Sequence, residues 1–503
     1  MSSLRIILPK GRTPPMDFDI LGRRLAEVLD DLLPGFEIVL EYKVTDSFER
    51  SVKSPLADPD CGLSVTGFVG SQRDWFRKLQ IKITKQTRAF LSEGFNDGSD
   101  RADTNDRSKI ERLSASQLRA PLIVGTELIS RWERRIRTEP LSPEVSPDHG
   151  SSFLDRHSLF EIKSSVGTLL PLWLIAHLTA NRYYLFPTRS NEGNDQTKSH
   201  AALTNTIVNT ISHLETLART RVEHHDLSHG LVITPSPITK DMAPAGRYPG
   251  DFTLKRIPLL ADGVRAALQI SSIGECVGLI TPELLQQRSV LSANPYGPLG
   301  LLAAASECLS GIALGLRSDR SIVIFANGQP IFVQRGGSWK GPIWSLVRDC
   351  LTKKFSAIGK VILDAAIMLS ISGHGGLLGI VDSMPKWVHK KDRIDIPRKN
   401  LPAFGSINDI HKEWRFHALL PSDDVQSIGA PFLAMLAAID GATIVDKRGK
   451  LLAYGAIVPS RSSGSEGARS AAGRELSKNG FTIKVSSDGP ITLYEHGRQV
   501  FEA

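Results

Sequence analysis

Asp440-Gly441-Ala442 stands where an apolar run with helical spacing, APFLAMLAAI (430–439), meets one with strand character, GATIVD. Downstream, the serine- and glycine-rich stretch PSRSSGSEG (459–467) runs into Ala468-Arg469-Ser470 and a second helix-patterned segment. These are residue types that handle phosphate. A helix start offers unpaired N–H groups and the positive end of its dipole. Glycines such as Gly464 and Gly467 let the backbone approach an anion. Arg469 adds a charge-assisted fork, and Ser470 a hydroxyl donor. A carboxylate across from such a cradle, Asp440, could hold Mg²⁺ or Mn²⁺ or help ionise a sugar hydroxyl. By spacing alone the plainer readings come first: Asp-Gly is a common turn dipeptide, and a Ser/Gly loop before a helix is a surface loop.

The surrounding chain supplies the elements that would position these residues. GPIWSLVRDCLTKKF (341–355) sets Ile343, Leu346, Val347, Cys350 and Leu351 on one helical face. A second helical run follows at 358–371, then HGGLLGIVD (374–382), which reads as a strand buried on both faces. GATIVD and LLAYGAIV form a hairpin around Lys447-Arg448-Gly449. ARSAAGRELSKNG reads as a short helix closed by Gly480 in the C-terminal glycine position. FTIKVS (481–486) and ITLY (491–494) are strands joined by Ser487-Asp488-Gly489-Pro490. The expected assembly is α/β, a mixed β-sheet with helices on both faces.

The N-terminal half is a separate α/β region. LRIIL (4–8) reads as a buried strand. A helix over 18–33 follows, with Ile20, Leu21, Leu25, Val28, Leu29 and Leu32 at helical spacing and Pro34-Gly35 as its stop. FEIVLEYKV (36–44) completes a β-α-β opening. Polar breaks fall at 92–116, 139–152 and 188–200, with short apolar elements at 121–125 and 169–178 between them. In EHHDLSHG (223–230), His224, His225 and His229 are either a metal pair or, preferred here, caps of a helix C-terminus. SIVIFANGQPIFVQR (321–335) is a hairpin turning at Asn327-Gly328. The expected organisation is an N-terminal region over 1–250 and a second domain over 251–503, with its core in 370–503.

Bulk properties narrow the function classes. A net charge of +8 on 503 residues is a mild excess, and no basic stripe with interleaved aromatics occurs, so nucleic acid is not an expected partner. Cys61, Cys276, Cys308 and Cys350 show no CxxC spacing, which argues against a zinc knuckle or a disulfide framework and fits a reducing cytoplasm. The N-terminal apolar run is too short for a signal peptide. GTLLPLWLIAHLTA (167–180) falls short of a membrane span.

The last part of the chain resembles the diadenylate cyclase domain, found in DNA-integrity-scanning proteins and membrane-bound bacterial cyclases. GGLLGIVD (375–382) is similar to that family's early buried strand, and IDGATIVD to its Asp-Gly-Ala motif. LLAYGAIVPS matches the strand leaving the hairpin, and GARSAAG (467–473) stands where the family carries Gly-Thr-Arg-His-Arg-Ala-Ala. IKVSSDGPITLY (483–494) matches the strands around its Val-Ser-Glu-Glu stretch. The resemblance implies one ATP per domain and two domains face to face. Each ribose 3′-hydroxyl then attacks the other ATP's α-phosphate, giving cyclic di-AMP and pyrophosphate with a divalent metal. It implies Asp440 near the 3′-hydroxyl and the metal, Gly441 and Ala442 against the nucleotide, and Arg469 on phosphate.

Ser470 and Ala471 replace the family's His and second Arg, and Ser487-Asp488 its glutamate pair. Arg461 and Arg474 are conceivable substitutes. The pattern resembles that of the divergent cyclase-like domains proposed as nucleotide sensors in bacterial signalling and defence, fused to variable partner modules, which implies an effector, partner-binding or regulatory N-terminal half. An active diadenylate cyclase is the alternative, and a homodimer or higher oligomer is the implied assembly.

Overall fold

The computed structural model describes residues 4–11, 14, 16–33, 36–44, 64–72, 75–84, 122, 124–126, 128, 129, 170–180, 196–222, 225–234, 246–250, 260–286, 296–341, 344–389, 392–394, 422–459 and 467–502. The chain is mixed α/β. Its described residues fall into two compact units, one drawn from 1–84, 108–280 and 305–341, the other from 85–107, 281–304 and 342–503.

The first unit opens with β1 (Leu4–Ile7), α1 (Met16–Leu32) and β2 (Phe36–Val44), and β1 and β2 run parallel with Leu4 opposite Ile38. β3 (Ser64–Gln72) and β4 (Trp75–Ile83) complete a sheet of order β1-β2-β4-β3. Leu21, Leu25, Leu29 and Leu32 form the buried stripe of α1. β1 is half exposed rather than buried, with Ile7 at 36% and Leu8 at 42%. It is the sheet's edge, and an apolar run cannot by itself announce an edge position.

α2 (Gln196–Ala218) starts inside the break expected at 188–200. Its first turn, Gln-Thr-Lys-Ser-His, is hydrophilic and carries no periodicity, while Leu203, Ile207, Ile211 and Leu214 supply the buried stripe farther on. β5 (Arg221–Val222) and β6 (His225–Asp226) form a small hairpin, followed by β7 (His229–Thr234). His225 and His229 therefore do not cap a helix. α2 has ended by Ala218, and His225 pairs across a hairpin with Val222. His229 begins a buried strand, its ring Nδ1 2.8 Å from the Ala261 carbonyl. His224 lies outside the described residues, as do 92–116 and 139–152. Among the described residues no cluster of three His, Cys, Asp or Glu side chains is placed to hold a metal.

The larger sheet continues with β8 (Gly246–Arg247), β9 (Ala267–Ser271), β10 (Glu275–Ile280), β11 (Ile312–Leu316), β12 (Ile322–Ala326), β13 (Gln329–Arg335) and β14 (Ser338–Lys340). Its order is β14-β13-β12-β11-β7-β9-β10-β8. The β12–β13 turn is the expected one, Asn327 and Gly328 both having positive φ (50° and 72°) as a primed hairpin turn requires. Tyr248 packs edge-on against His213 of α2 at 5.2 Å between ring centroids and stacks on His229 at 6.0 Å.

The second unit contains α3 (Trp344–Ser372), β15 (Gly376–Val381), α4 (Val425–Ala437), β16 (Ala442–Asp446), β17 (Leu451–Ala456), α5 (Ala468–Ser477), β18 (Gly480–Val485), β19 (Ile491–Glu495) and β20 (Arg498–Glu502). The sheet runs β17-β16-β15-β18-β19-β20, with β15 and β16 parallel and the other neighbours antiparallel. β20 extends the sheet beyond the last strand the sequence suggested. The two helical runs expected at 341–355 and 358–371 are the halves of α3, broken where Phe355 and Ser356 leave helical geometry. Val347–Ser372 is long and apolar enough to cross a membrane by length and composition, unlike 167–180, and 56% of its apolar window is buried. It packs on β15, β18, β19 and α4.

Helices cover both faces of this sheet. A Cβ on Gly376 would strike Leu369 of α3 and the Ala437 carbonyl of α4, whereas a Cβ on Gly379 would strike Leu476 of α5. Residues 376 and 379 point to opposite faces of one strand. On the α5 side, Leu377, Val381, Ala442, Ile444, Ala456 and Leu476 form a buried cluster. Gly480 is not the glycine that closes α5. The helix ends at Lys478, and Gly480 begins β18 at φ 153°, pressed against the Ile380 carbonyl. Among the described residues Cys276, Cys308 and Cys350 form no disulfide, and burial pushes the Cys350 thiol up to about 12.

Burial lowers the pKa of His213, so the folded first unit prefers this ring neutral. The unfolded chain binds the proton at the ordinary histidine value of about 6.5. His213's contribution is thus complete above that pH and is lost as pH falls toward the depressed folded value. Thermal melts between pH 7.5 and 5 should fall more steeply for the wild-type chain than for His213→Phe.

Candidate functional site

Two helices on one face deliver the chain into the two parallel strands at the same end of the sheet. α3 closes with the His374 N–H donating to the Leu369 carbonyl (3.0 Å), and Gly373 at φ 72° turns the chain into β15. α4 closes with Ala438 donating to Ala434 (2.9 Å) and Ile439 to Leu436 (3.2 Å), and Asp440-Gly441 leads into β16. Leu377 pairs with Ala442, so Gly375 and Asp440, each two residues earlier, stand at one head of the sheet.

Asp440 is exposed, and its Oδ1 accepts the Gly441 N–H at 3.1 Å. Gly441 has φ 101°, and a Cβ there would run into the Gly455 backbone, 2.7 Å from its carbonyl oxygen. Ala442 is wholly buried within the apolar cluster. The Asp-Gly-Ala motif thus divides its labour. The aspartate faces solvent, the glycine lets β17 close on β16, and the alanine belongs to the core.

α5 brings the second group from the opposite face. Gly467 is its N-cap, exposed and with no side-chain capping bond. Arg469, in the first turn, is exposed, and its guanidinium lies on Gly375, where any Cβ would collide with it. Arg469 and Asp440 therefore reach the same end of the sheet, not opposite ends. Ser470 follows, half-buried, and its Oγ accepts a hydrogen bond from Lys484 Nζ at 3.0 Å. Ser487 and Asp488 occupy the β18–β19 turn at this end, which Ser370 Oγ ties to α3 through the Gly489 carbonyl at 2.6 Å. Arg474 sits in the last turn of α5, away from the site. Arg461 and Gly464 lie outside the described residues.

Sequence reasoning missed two residues here. His374 enters by way of the α3 turn, its Nδ1 3.1 Å from Ser372 Oγ. Lys484 is placed by register, opposite Leu377 of β15. The available signal was one cation inside an otherwise apolar strand, FTIKV. Exposed apolar groups flank the aspartate as well: Met435 (66%), Ile439 (47%) and Ile457 (67%), the last just beyond the Ala442–Ala456 pair.

Several charges elsewhere in the unit are paired. Lys447 meets Asp382 at 2.6 Å, Arg348 meets Asp364 at 2.6 Å, and Lys354 meets Glu495. At the strand heads, among the described residues, no carboxylate lies within ion-pair distance of Arg469 or Lys484, and no cation within that distance of Asp440. Among the described residues, the arrangement brings a guanidinium and an ammonium without carboxylate partners, and a helix start without a side-chain cap, to the end of the sheet that carries Asp440.

No protein-family model and no curated protein matches the chain. Among solved structures, a crystal structure of a double mutant of DacA from Staphylococcus aureus is similar over 30% of this chain and 89% of its own. The identity is 18% and the TM-score 0.19. That likeness decides nothing about the site, which stands on its own geometry.

Two glycine substitutions separate architecture from chemistry. Gly441→Ala forces an L-residue to positive φ against a backbone neighbour and should cost about 2–4 kcal/mol in urea unfolding. Gly375→Ala meets only the flexible end of Arg469, so its stability should stay within about 0.5 kcal/mol of wild type. Its effect should appear in anion binding instead.

Proposed function

We propose that the second unit binds an adenine nucleotide, or a dinucleotide made from one, at the heads of β15 and β16, and senses this ligand rather than turning it over rapidly. The observation carrying the reading is the convergence of Asp440 and Arg469 on one end of the sheet, beside the uncapped start of α5. Arg469 and the first-turn N–H groups of α5 take phosphate oxygens. Ile439 and Ile457 offer apolar surface for a base.

A divalent ion, Mg²⁺ or Mn²⁺, fits this site only as a nucleotide-borne one. Asp440 is a single carboxylate, and Mg²⁺ is commonly held by one or two carboxylates together with substrate phosphates. When bound it would neutralise phosphate charge. Asp440 would supply the protein ligand, with one of its oxygens already occupied by the Gly441 N–H. The uncharged pair Ser470-Ala471 on α5 favours sensing over synthesis. Phosphoryl transfer depends on positive charge at the developing transition state. A dinucleotide ligand or product would bring two copies of the unit together, and a cytoplasmic chain would meet either ligand.

Titration calorimetry of the full chain with ATP and with cyclic di-AMP, each with Mn²⁺, tests the reading. Binding of one of them is expected. Arg469→Ala should weaken it about 10–100-fold, the 1.5–3 kcal/mol of a hydrogen bond to a charged group. Mass spectrometry of an ATP incubation should detect no cyclic di-AMP. Product that accumulates and vanishes in Asp440→Ala would establish diadenylate cyclase activity in place of sensing.

A further inference from the structure

We propose that Lys484 of β18 is the second phosphate-binding cation of this site, supplying from the sheet the charge that α5 lacks; the proposal rests on the nucleotide-binding reading above. After Arg469 the helix presents Ser470 and then Ala471, and Ala471 is buried, so no charged side chain is available from that turn. Lys484 fills the gap from another element. Register pairs it with Leu377 on one side and Thr492 on the other, so all three share the face covered by α5.

The ammonium has three donors. One goes to Ser470 Oγ at 3.0 Å, which fixes the lysine's tip at the first turn of α5. Among the described residues no carboxylate pairs with the charge. Across the strand pair, Thr492 is 1% exposed and its Oγ1 has no hydrogen-bond partner among the described atoms.

This arrangement is electrostatically unfavourable on its own. A half-buried ammonium is costly to desolvate without a counter-charge. Here it sits beside the positive end of a helix and within reach of the turn that carries a guanidinium, all of the same sign. An anion reverses each of these penalties at once. The ligand class is therefore the di- or triphosphate of the nucleotide, not the nucleoside. Ser470 becomes a bridge, accepting from Lys484 while its own hydroxyl proton is free to donate to a phosphate oxygen.

Calorimetry with ATP, inorganic tripolyphosphate and adenosine on the full chain tests this, using wild type, Lys484→Met, Lys484→Arg and Ser470→Ala. Lys484→Met should weaken ATP and tripolyphosphate about 10–100-fold and leave adenosine unchanged. Lys484→Arg should stay within about threefold of wild type, because the charge is kept. Ser470→Ala should lose a few-fold on the phosphate ligands only. Equal weakening of ATP and adenosine in Lys484→Met, or ATP binding untouched in that variant while wild type binds, overturns the assignment of Lys484 alone. Wild-type protein that binds cyclic di-AMP but none of the three probes overturns this inference and leaves the nucleotide reading standing; protein that binds neither cyclic di-AMP nor any of the three overturns both.

Discussion

The second unit depends on missing side chains at the heads of its two parallel strands. Gly376 admits the end of α4 and a leucine of α3, Gly441 admits the backbone of β17, and Gly375 admits the guanidinium of Arg469. A methyl group at either of the first two positions strikes backbone, which cannot yield. At the third it strikes a side-chain tip, which can. Two of these glycines therefore build the sheet, and one leaves room on the strand for a charged group. That difference separates a scaffold from a site even though the three look alike in sequence.

Parallel pairing turns this close packing into convergence. Two adjacent parallel strands begin at the same end, so the turns before them, His374-Gly375 and Ile439-Asp440, become neighbours. The antiparallel partner β18 ends where β15 begins, which adds Ser486 to Asp488 to the same edge. α5 lies on the other face, with its open N-terminus directed toward this end through Arg469 and Ser470. Polar residues from four chain segments thus meet at one head, while the mid-strand positions hold aliphatic core. Lys447, Arg348 and Lys354 have carboxylate partners, whereas among the described residues Arg469, Lys484 and Asp440 have none.

Much of this fold was legible because local chemistry matched the global arrangement. Asn327-Gly328 specifies a hairpin by its φ requirement alone, and the leucine stripe of α1 can face only a core. The misread places share a different cause. The first turn of α2 is polar for reasons unconnected to periodicity. His225 and His229 could be told apart from a helix cap only by knowing that α2 had already ended. Gly480 looked like a helix stop because its sequence position suits one, yet what demands glycine there is the Ile380 carbonyl on a neighbouring strand. At the site, Asp440 and Arg469 were legible as residue types at element boundaries. Lys484 was not, because its place beside Ser470 is set by the β15–β18 register, a fact carried by no short stretch of sequence.

Moving a cation from helix to strand changes what a phosphate site does. A guanidinium grips two oxygens in a fixed plane, whereas an ammonium is a compact point charge on a flexible stem. Lys484 is held at its tip by Ser470, so on the proposed reading its charge meets the phosphate already present in the bound ground state. Only contacts that strengthen as charge develops on the reacting phosphorus lower a barrier, while contacts made equally to the ground state raise affinity alone. On that reading, a site with one fork on α5, one tethered ammonium on β18 and one exposed carboxylate is balanced toward holding a nucleotide. That balance is the physical ground on which the proposed sensor reading rests.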